Sequence, residues 1–453
     1  KGNLSSEANP YFLFPQIYNF RYNIFSSEWP VANRVIELYL QKKSENGGWE
    51  RQINGISNNE KAVLLLEKRT FKELLVDMEL RNLQNNIVGQ EASRLFARAE
   101  INMGVEAFRD SLYSLLKRNT FLNIKFENML DTLGEISRTD IRSLLGEWEK
   151  TTPLPFYSLG EPTLTKITNK GGEEFFVLKM LISNNSDYDG IIHMDIRKDG
   201  WWYQPLEDPR AKTKIEMPAH TSKEFVSVWE DQIRNVEINT MVSGNLPNII
   251  SQDINNVKQE RNKIVKDSIY ILPESSFDLP GEIIVDNEDS TLFILSAPPI
   301  VGLLPKWLDE VEETPFKYSG ISWWRPPLQW TATTNDRYYG KYIRSAFVIK
   351  SGDGSQTATW KVPVPEVGQY DLYYHVFKDD ELRWNNNLQG EYHFKVKYGS
   401  EVEDAYVNLR KANEGWEQLG SYYFDSDTIR VVLTDECKLR SVTADAVKIV
   451  KRY

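Results

Sequence analysis

The hydrophobic residues of this chain change their spacing near residue 155, and that change constrains the fold more than any other feature. Before it, apolar residues recur three and four positions apart, as in residues 71–78, 126–133 and 141–148, which is the spacing of an amphipathic helix. After it, apolar and polar residues alternate, as in residues 192–196, which is typical of half-buried strands. The predicted fold class is therefore multi-domain α + β, with an N-terminal all-α helical module followed by two antiparallel β-sandwich domains.

Five residues predict where the helical pattern is interrupted. Gly104 and Gly134 are expected to end helices, because glycine adopts the left-handed conformation of a helix end without strain. Thr139 is expected to begin the next helix as its N-cap. Pro153 and Pro155 lack the backbone N–H that a helix interior needs, so the helical module is expected to end there.

The length of 453 residues predicts two to four domains, at roughly 100–200 residues per domain. We expect a helical domain over residues 1–155 and an Ig-like sandwich over residues 156–250. A polar connector is predicted over residues 251–280, with a short helix around residues 254–265. A jelly-roll-like sandwich over residues 281–453 is predicted from its many short alternating segments and turn residues.

The charge of the chain argues against nucleic acid as a partner, and its hydropathy argues against a membrane span. The formal net charge is −11 and the isoelectric point is about 5.2, so the chain lacks the attraction to phosphates on which nucleic-acid binding depends. No apolar run approaches the roughly 20 residues that cross a bilayer. The sequence starts abruptly at Lys1 and Gly2, from which we expect an upstream domain of the same polypeptide.

Catalytic motifs are absent from the sequence, and we therefore expect a chain that is not an enzyme. None of the four histidines begins an HExxH motif, and no GxSxG or GxxxxGK[ST] motif occurs. No cofactor is expected. The acidic turn that contains Asp286, Glu288 and Asp289 is a weak candidate for Ca²⁺, because carboxylate oxygens are the ligands of that ion, but it lacks the spacing of an EF-hand.

Aromatic side chains are the remaining functional signal, at 12% of the residues. Sugar rings present apolar C–H faces that stack on flat aromatic rings, while their hydroxyls bond to neighbouring polar groups. The predicted ligand-binding residues are Trp384 with Arg383, Asn385 and Asn387 on one polar loop, followed by Trp416. The alternative for Trp384 is that it anchors the loop or belongs to the core.

Seven motifs over residues 281–453 are similar, in the same order, to the C-terminal domain of golvesins, also described as the carbohydrate-binding-like domain of xanthan lyases. They are residues 284–289, 338–346, 351–354, 358–360, 368–371, 416–420 and 444–447. The resemblance implies a β-sandwich appended to secreted or surface bacterial proteins. It also implies an extracytoplasmic location, periplasmic or cell-surface, and a polysaccharide or glycoprotein glycan as the partner.

Residues from about 60 to 250 resemble the part of gluzincin zinc aminopeptidases that follows the catalytic domain. The cue is a series of helices ending at Trp148, Pro153 and Pro155, followed by a sandwich. The resemblance implies an aminopeptidase-like scaffold without zinc ligands of its own. Two alternatives stay open: the chain completes an active zinc metallopeptidase whose HExxH domain lies upstream, or it is a protein-interaction module of the cell envelope.

Overall fold

A computed structural model of the chain describes residues 22–41, 48–169, 171–198, 204–261, 265–273, 281–296, 316–322, 325–378 and 390–452. The described residues divide into two compact units. The first unit contains the described residues of Lys1–Gly47 and Asn58–Ser276. The second unit contains Gly48–Ser57 and the described residues of Phe277–Tyr453. Among the helices described, none is long and apolar enough to cross a membrane.

The helical module is arranged around one long helix. The α-helices of the described residues are α1 (Ala32–Leu40), α2 (Gly48–Asn54), α3 (Asn58–Lys68), α4 (Phe71–Leu75), α5 (Gln84–Met103), α6 (Val105–Arg118) and α7 (Phe126–Ser137). Helices α1, α3, α4, α6 and α7 all contact α5, whose Ile87, Leu95 and Phe96 lie in the core. The strands β1 (Asn23–Phe25) and β2 (Asn123–Lys125) form a small parallel sheet here, which the sequence analysis did not foresee.

The predicted helix over residues 71–78 is shorter than expected. Thr70 and Glu73 form a reciprocal capping box at the start of α4, which fixes that end of the helix. The chain then leaves the helix after Leu75, and Met78 lies in a separate 3₁₀ turn with 51% of its surface exposed. Gly104 ends α5 with a φ of 87°, so that prediction is confirmed.

The predictions for Gly134 and Thr139 are wrong. Helix α7 continues through Gly134 to Ser137, and Arg138 takes the left-handed conformation at its end. Glycine is needed at position 134 because the chain passes close to it: a Cβ there would lie 2.7 Å from the carbonyl oxygen of Thr139. The helical segment after it is a 3₁₀ helix, Arg142–Glu149, and Thr139 does not cap it.

The first sandwich has two sheets with a common core. Its strands are β3 (Tyr157–Leu159), β4 (Thr163–Thr168), β5 (Glu174–Asn184), β6 (Gly190–Lys198), β7 (Gln204–Pro205), β8 (Lys212–Met217), β9 (Thr221–Trp229), β10 (Ile233–Asn239), β11 (Ile249–Asp253), β12 (Val257–Arg261) and β13 (Ser268–Pro273). One sheet has the order β11-β10-β6-β7, with β8 also on β6; the other has the order β12-β4-β5-β9-β13, with β3 also on β5. Met180, from β5, and Met194, from β6, share the core between the sheets.

The helix predicted around residues 254–265 is wrong, because that segment supplies a strand. Strand β12 pairs in parallel with β4, and β13 pairs antiparallel with β9. Both are edge strands of the same sheet, although they lie where the sequence analysis predicts a connector. An edge strand packs on fewer neighbours than a central one, so polar residues such as those of β12 hide the alternating pattern.

Polar contacts join the helical module to the first sandwich within the first unit. The Lys214 ammonium on β8 forms a buried ion pair with the Glu100 carboxylate of α5. The Tyr39 hydroxyl donates a hydrogen bond to the same carboxylate at 2.8 Å. The backbone N–H of Asn248 donates to Glu60 Oε1 at 2.9 Å. Because buried charges need their partners, these contacts fix how helix and strand pack.

The second unit contains the last module, also built from antiparallel strands. They are β14 (Glu282–Val285), β15 (Phe293–Leu295), β16 (Thr331–Thr334), β17 (Ser345–Lys350), β18 (Thr357–Pro363), β19 (Gly368–Val376), β20 (Glu391–Tyr398), β21 (Glu401–Asn408), β22 (Gly415–Phe424), β23 (Thr428–Thr434), β24 (Ser441–Ala444) and β25 (Val447–Lys451). The sheet orders are β14-β25-β19-β22, β15-β18-β23-β20-β21 and β16-β17-β24. Tyr374 and Phe394, from the two larger sheets, share one core. The predicted succession of a helical module and β-sandwich modules is confirmed.

Helix α2 groups with this last module, although it lies early in the chain. The Thr334 hydroxyl donates a hydrogen bond to the carbonyl oxygen of Gly55 at 2.6 Å. A Cβ on Gly55 would lie 2.4 Å from the backbone nitrogen of Ser319, and the φ of Gly55 is 80°. Glycine is therefore required at this close approach.

Candidate functional site: the outer face of a four-stranded sheet

The sheet β14-β25-β19-β22 has one buried face and one that is partly open. Along β19, Leu372 and Tyr374 point into the core, so Tyr373 and His375 point to the outer face. In the cross-strand register, His375 lies opposite Trp416, and Tyr373 lies opposite Lys448. Residues that are directly opposite on one face touch each other.

Three rings meet at one end of this face. The ring centroids of Tyr339 and Trp416 are 5.0 Å apart, those of His375 and Trp416 are 5.2 Å apart, and those of Tyr339 and His375 are 5.8 Å apart. All three pairs are tilted or edge-on, which is the favoured geometry for aromatic rings. Trp416 is partly exposed, so part of its indole surface is accessible to a ligand.

Lys448 connects this ring cluster to Tyr373. Its Nζ lies 4.8 Å from the ring centroid of Trp416 and 5.4 Å from that of Tyr373, within the range of cation–π attraction. Nζ also lies 2.9 Å from Glu282 Oε1 on the neighbouring strand. The ammonium group therefore holds two aromatic rings in place at once. We call Tyr339, Tyr373, His375, Trp416 and Lys448 the aromatic face.

A buried carboxylate supports the aromatic face from below. Asp445, with no exposed surface, has its Oδ2 2.9 Å from Nδ1 of His375 and accepts the backbone N–H of Tyr339 at 3.2 Å. Burial raises the pKa of Asp445, and the neighbouring His375 opposes that rise. In the neutral histidine, donation from Nδ1 to the carboxylate leaves Nε2 as an acceptor.

Polar groups continue the same face beyond the rings. Asp371 accepts hydrogen bonds from the Ser421 hydroxyl at 2.5 Å, from Gln418 Nε2 at 3.0 Å and from Arg452 Nε at 2.8 Å. Burial alone would raise the pKa of Asp371, but the hydrogen bonds from Ser421 and Arg452 outweigh it and lower the pKa. The face therefore combines flat rings with fixed hydrogen-bond donors and acceptors.

Of the residues predicted to bind a ligand, the structure places Trp416 in this site. Trp384, Arg383, Asn385 and Asn387 lie outside the described residues, so that part of the prediction stays a prediction. Tyr339, Tyr373, His375 and Lys448 also lie in this site and were not predicted from the sequence. Alternation along β19 does indicate that Tyr373 and His375 share a face, but the pairing of β19 with β22 and β25 cannot be read from the sequence.

The acidic turn is occupied by contacts within the protein. The Glu288 carboxylate lies 2.6 Å from Lys317 Nζ and accepts from the Tyr318 hydroxyl at 3.1 Å. The Asp289 carboxylate accepts the backbone N–H of Asp286 at 2.9 Å. Within the part of the chain that the structure describes, no group of three or more acidic, histidine or cysteine side chains is arranged to hold a metal ion.

These features define an antiparallel β-sandwich module with an aromatic outer face. Residues 326–451 match the model of the Golvesin C-terminal domain, which confirms the resemblance for that part of the chain. The resemblance of residues 60–250 to aminopeptidases stays a prediction. No curated protein matches the chain.

Similar solved structures are remote. The structure of TmCBM61 in complex with β-1,4-galactotriose is 14% identical, with 38% of this chain and 86% of that chain covered and a TM-score of 0.14. A Bacteroides uniformis β-glucuronidase is 10% identical with a TM-score of 0.19. The alignment covers 70% of this chain but 32% of the β-glucuronidase chain. At these TM-scores neither likeness carries an argument about this protein.

Proposed function

We propose that this chain is a non-catalytic part of an extracytoplasmic bacterial protein and that its last module binds a carbohydrate. The observation that carries the proposal is the aromatic face, in which a partly exposed Trp416 is held beside Tyr339 and His375. Aromatic rings complement the apolar faces of sugars, and Gln418 and Asp371 offer polar partners for sugar hydroxyls. The ligand is a polysaccharide or a glycoprotein glycan.

Preorganisation supports this function. Lys448 is in cation–π contact with two rings, and Asp445 binds His375 and the Tyr339 backbone. Side chains that are already held in place lose little conformational entropy when a ligand binds. The match to the Golvesin C-terminal domain supports the extracytoplasmic location, because that family is associated with extracellular proteins.

The helical module and the first sandwich serve as an aminopeptidase-like scaffold in this proposal. That part rests on the sequence resemblance of residues 60–250. Its test is the longer parent protein, if one exists. A parent with an upstream HExxH motif, stoichiometric zinc and peptidase activity would show that this chain is the C-terminal part of a zinc peptidase. A parent without zinc and without peptidase activity would rule out that alternative.

Replacement of Trp416 tests the carbohydrate site. The full chain should bind at least one glycan on an array of bacterial, plant and animal glycans. The substitution Trp416→Ala should then weaken binding by about 10- to 100-fold, because a central aromatic contact dominates a small interface. Isothermal titration with the glycan found on the array measures this change.

Two further variants make that result interpretable. Tyr188→Ala removes an exposed aromatic side chain from the first sandwich and should leave binding unchanged. Gln418→Ala removes an exposed amide from the aromatic side of the sheet without opening the ring cluster, and should weaken binding less than Trp416→Ala. The absence of binding to any glycan, or unchanged affinity in a folded Trp416→Ala variant, would contradict the proposal.

A further inference from the structure

Three cations lie side by side on the opposite sheet of the last module. Lys361 on β18 is directly opposite Arg430 on β23, and Arg430 is directly opposite Lys397 on β20. Their strand neighbours Trp360 and Val431 are fully buried. Side chains alternate along a strand, so the three cations all point to the outer face of this sheet. We call Lys361, Arg430 and Lys397 the cationic row.

The cationic row is electrostatically unfavourable as it stands. Neighbouring strands are about 4.8 Å apart, and like charges directly opposite each other destabilise a sheet. In the ranges that the structure describes, none of the three side chains takes part in an ion pair or a hydrogen bond. The chain as a whole is acidic, at −11, so carboxylates are available in the sequence and yet none is placed across from these cations.

An exposed aromatic pair lies further along the same face. His393 on β20 is directly opposite Tyr406 on β21, and their rings stack with centroids 4.8 Å apart and planes within 7°. Tyr406 has 56% of its surface exposed. His393 and Lys397 are four residues apart on one strand, which is about 13 Å at 3.3 Å per residue. The His393 ring also contacts the carboxylates of Asp404, at 2.7 Å, and Glu436, at 3.5 Å, and Asp404 is directly opposite Lys395. The face therefore presents a ring surface, whose neighbouring carboxylates contact His393, and a positive row at a separation that a chain molecule can span.

We propose that this face binds a linear acidic polysaccharide, with its carboxylate or sulfate groups against the cationic row and a sugar ring against Tyr406. Anionic groups would neutralise the cross-strand repulsion, and the ring contact would distinguish a sugar polymer from a bare polyanion. The cationic row lies on the sheet that faces away from Trp416 across the module's core. This binding site is therefore independent of the aromatic face, and either can fail without the other.

The test uses the full chain with two anionic and one neutral polymer. A sulfated polysaccharide, a polyuronate and dextran are titrated calorimetrically at about 0.05 M and about 0.5 M salt, because ionic contacts at a surface are screened as salt rises. Both anionic polymers, or one of them, should bind at low salt and weaken at high salt, while dextran should not bind. Which of the two binds shows whether sulfate or carboxylate is the anionic group.

Charge reversal in the cationic row tests the residues. Lys397→Glu should weaken polysaccharide binding on the order of tenfold or more, since it replaces an attraction by a repulsion. The same change places a carboxylate opposite Arg430, so the melting temperature should stay the same or rise. Lys411→Ala, beyond the other end of the β20–β21 hairpin, is the control for loss of a lysine and should bind like the wild type.

A second variant tests the ring contact. Tyr406→Ala should weaken binding of the polysaccharide but not that of inorganic polyphosphate, which is a polyanion without sugar rings. The proposal is overturned if no anionic polysaccharide binds at low salt, or if a folded Lys397→Glu variant binds as well as the wild type. Equal binding of polyphosphate and polysaccharide, with equal losses in both variants, would also overturn it.

Discussion

Asp286 shows how a single carboxyl group can be held against its ordinary ionisation. Burial raises its pKa well above the usual range, and the nearby Asp445 raises it further, while the Asn287 backbone N–H that it accepts at 2.7 Å acts in the opposite direction. Desolvation and a like charge both disfavour the ionised form. The ionised carboxylate of Asp286 therefore lowers the free energy of unfolding at neutral pH.

The pH dependence of this effect can be predicted. The folded protein holds the Asp286 proton more tightly than the unfolded chain, so wild-type stability falls as the pH rises from about 4, the unfolded pKa, through the folded pKa. Asp286→Asn removes the charge and should be more stable than the wild type at pH 8. The advantage should disappear near pH 4. Thermal unfolding at several pH values measures it.

Asp425→Asn is the matched control for that experiment. Asp425 is an exposed residue of the same module, and its replacement should change the melting temperature little at any pH. A variant of Asp286 that is less stable than the wild type at pH 8 would show that the carboxylate contributes more through its hydrogen bonds than it costs through burial.

At the scale of elements, helices α5 and α7 both end at a residue with a positive φ, but only one of those residues is a glycine. Helix α5 ends at Gly104 with a φ of 87°, and α7 ends at Arg138 with a φ of 54°. The left-handed conformation costs an ordinary L-residue about 1 kcal/mol or more, and glycine almost nothing. The end of α7 is therefore strained by its residue type.

Substitutions at these two helix ends should change the free energy of unfolding in opposite directions. Arg138→Gly should stabilise the protein by about 0.5–1 kcal/mol, and Gly104→Ala should destabilise it by about 1 kcal/mol. No atom lies within 4 Å of a Cβ at Gly104, so only the backbone conformation is tested there. Urea unfolding of both variants measures the changes, and the same sign for both would contradict the explanation.

At the scale of the whole molecule, the first unit depends on a buried ion pair between a helix and a sheet. The side chains of Lys214 and Glu100 are 2% and 0% exposed. Removing one partner of such a pair leaves an uncompensated charge in the interior, which costs more than the pair itself contributes. The helical module and the first sandwich should therefore unfold together.

Lys214→Met should destabilise the first unit by about 3–5 kcal/mol, and the double variant Lys214→Met with Glu100→Leu should regain much of that loss. Lys198→Met breaks the more exposed pair with Asp231, whose side chains are 32% and 52% exposed, and should cost less than about 1 kcal/mol. Unfolding in urea, followed by tryptophan fluorescence, measures all three. Equal losses for Lys214→Met and Lys198→Met would contradict this account.

The sequence by itself determined the order of the structural classes and the buried face of many strands. Spacing of three and four predicted α4 and α7, and alternation predicted the inward residues of β6, because both patterns depend only on how side chains project from a local backbone. The motifs over residues 281–453 predicted the last module, of which residues 326–451 match a family model. The structure places Trp416 on the aromatic face of that module, and its part in ligand binding stays a prediction.

Only the tertiary structure decided which outward residues meet. Trp416 lies beside His375, and Lys361, Arg430 and Lys397 form one row, through strand pairings between distant parts of the chain. The grouping of α2 with the last module has the same origin. Alternation assigns a residue to a face, but register along that face is set by non-local packing and turns. Both proposed binding surfaces therefore depend on strand register.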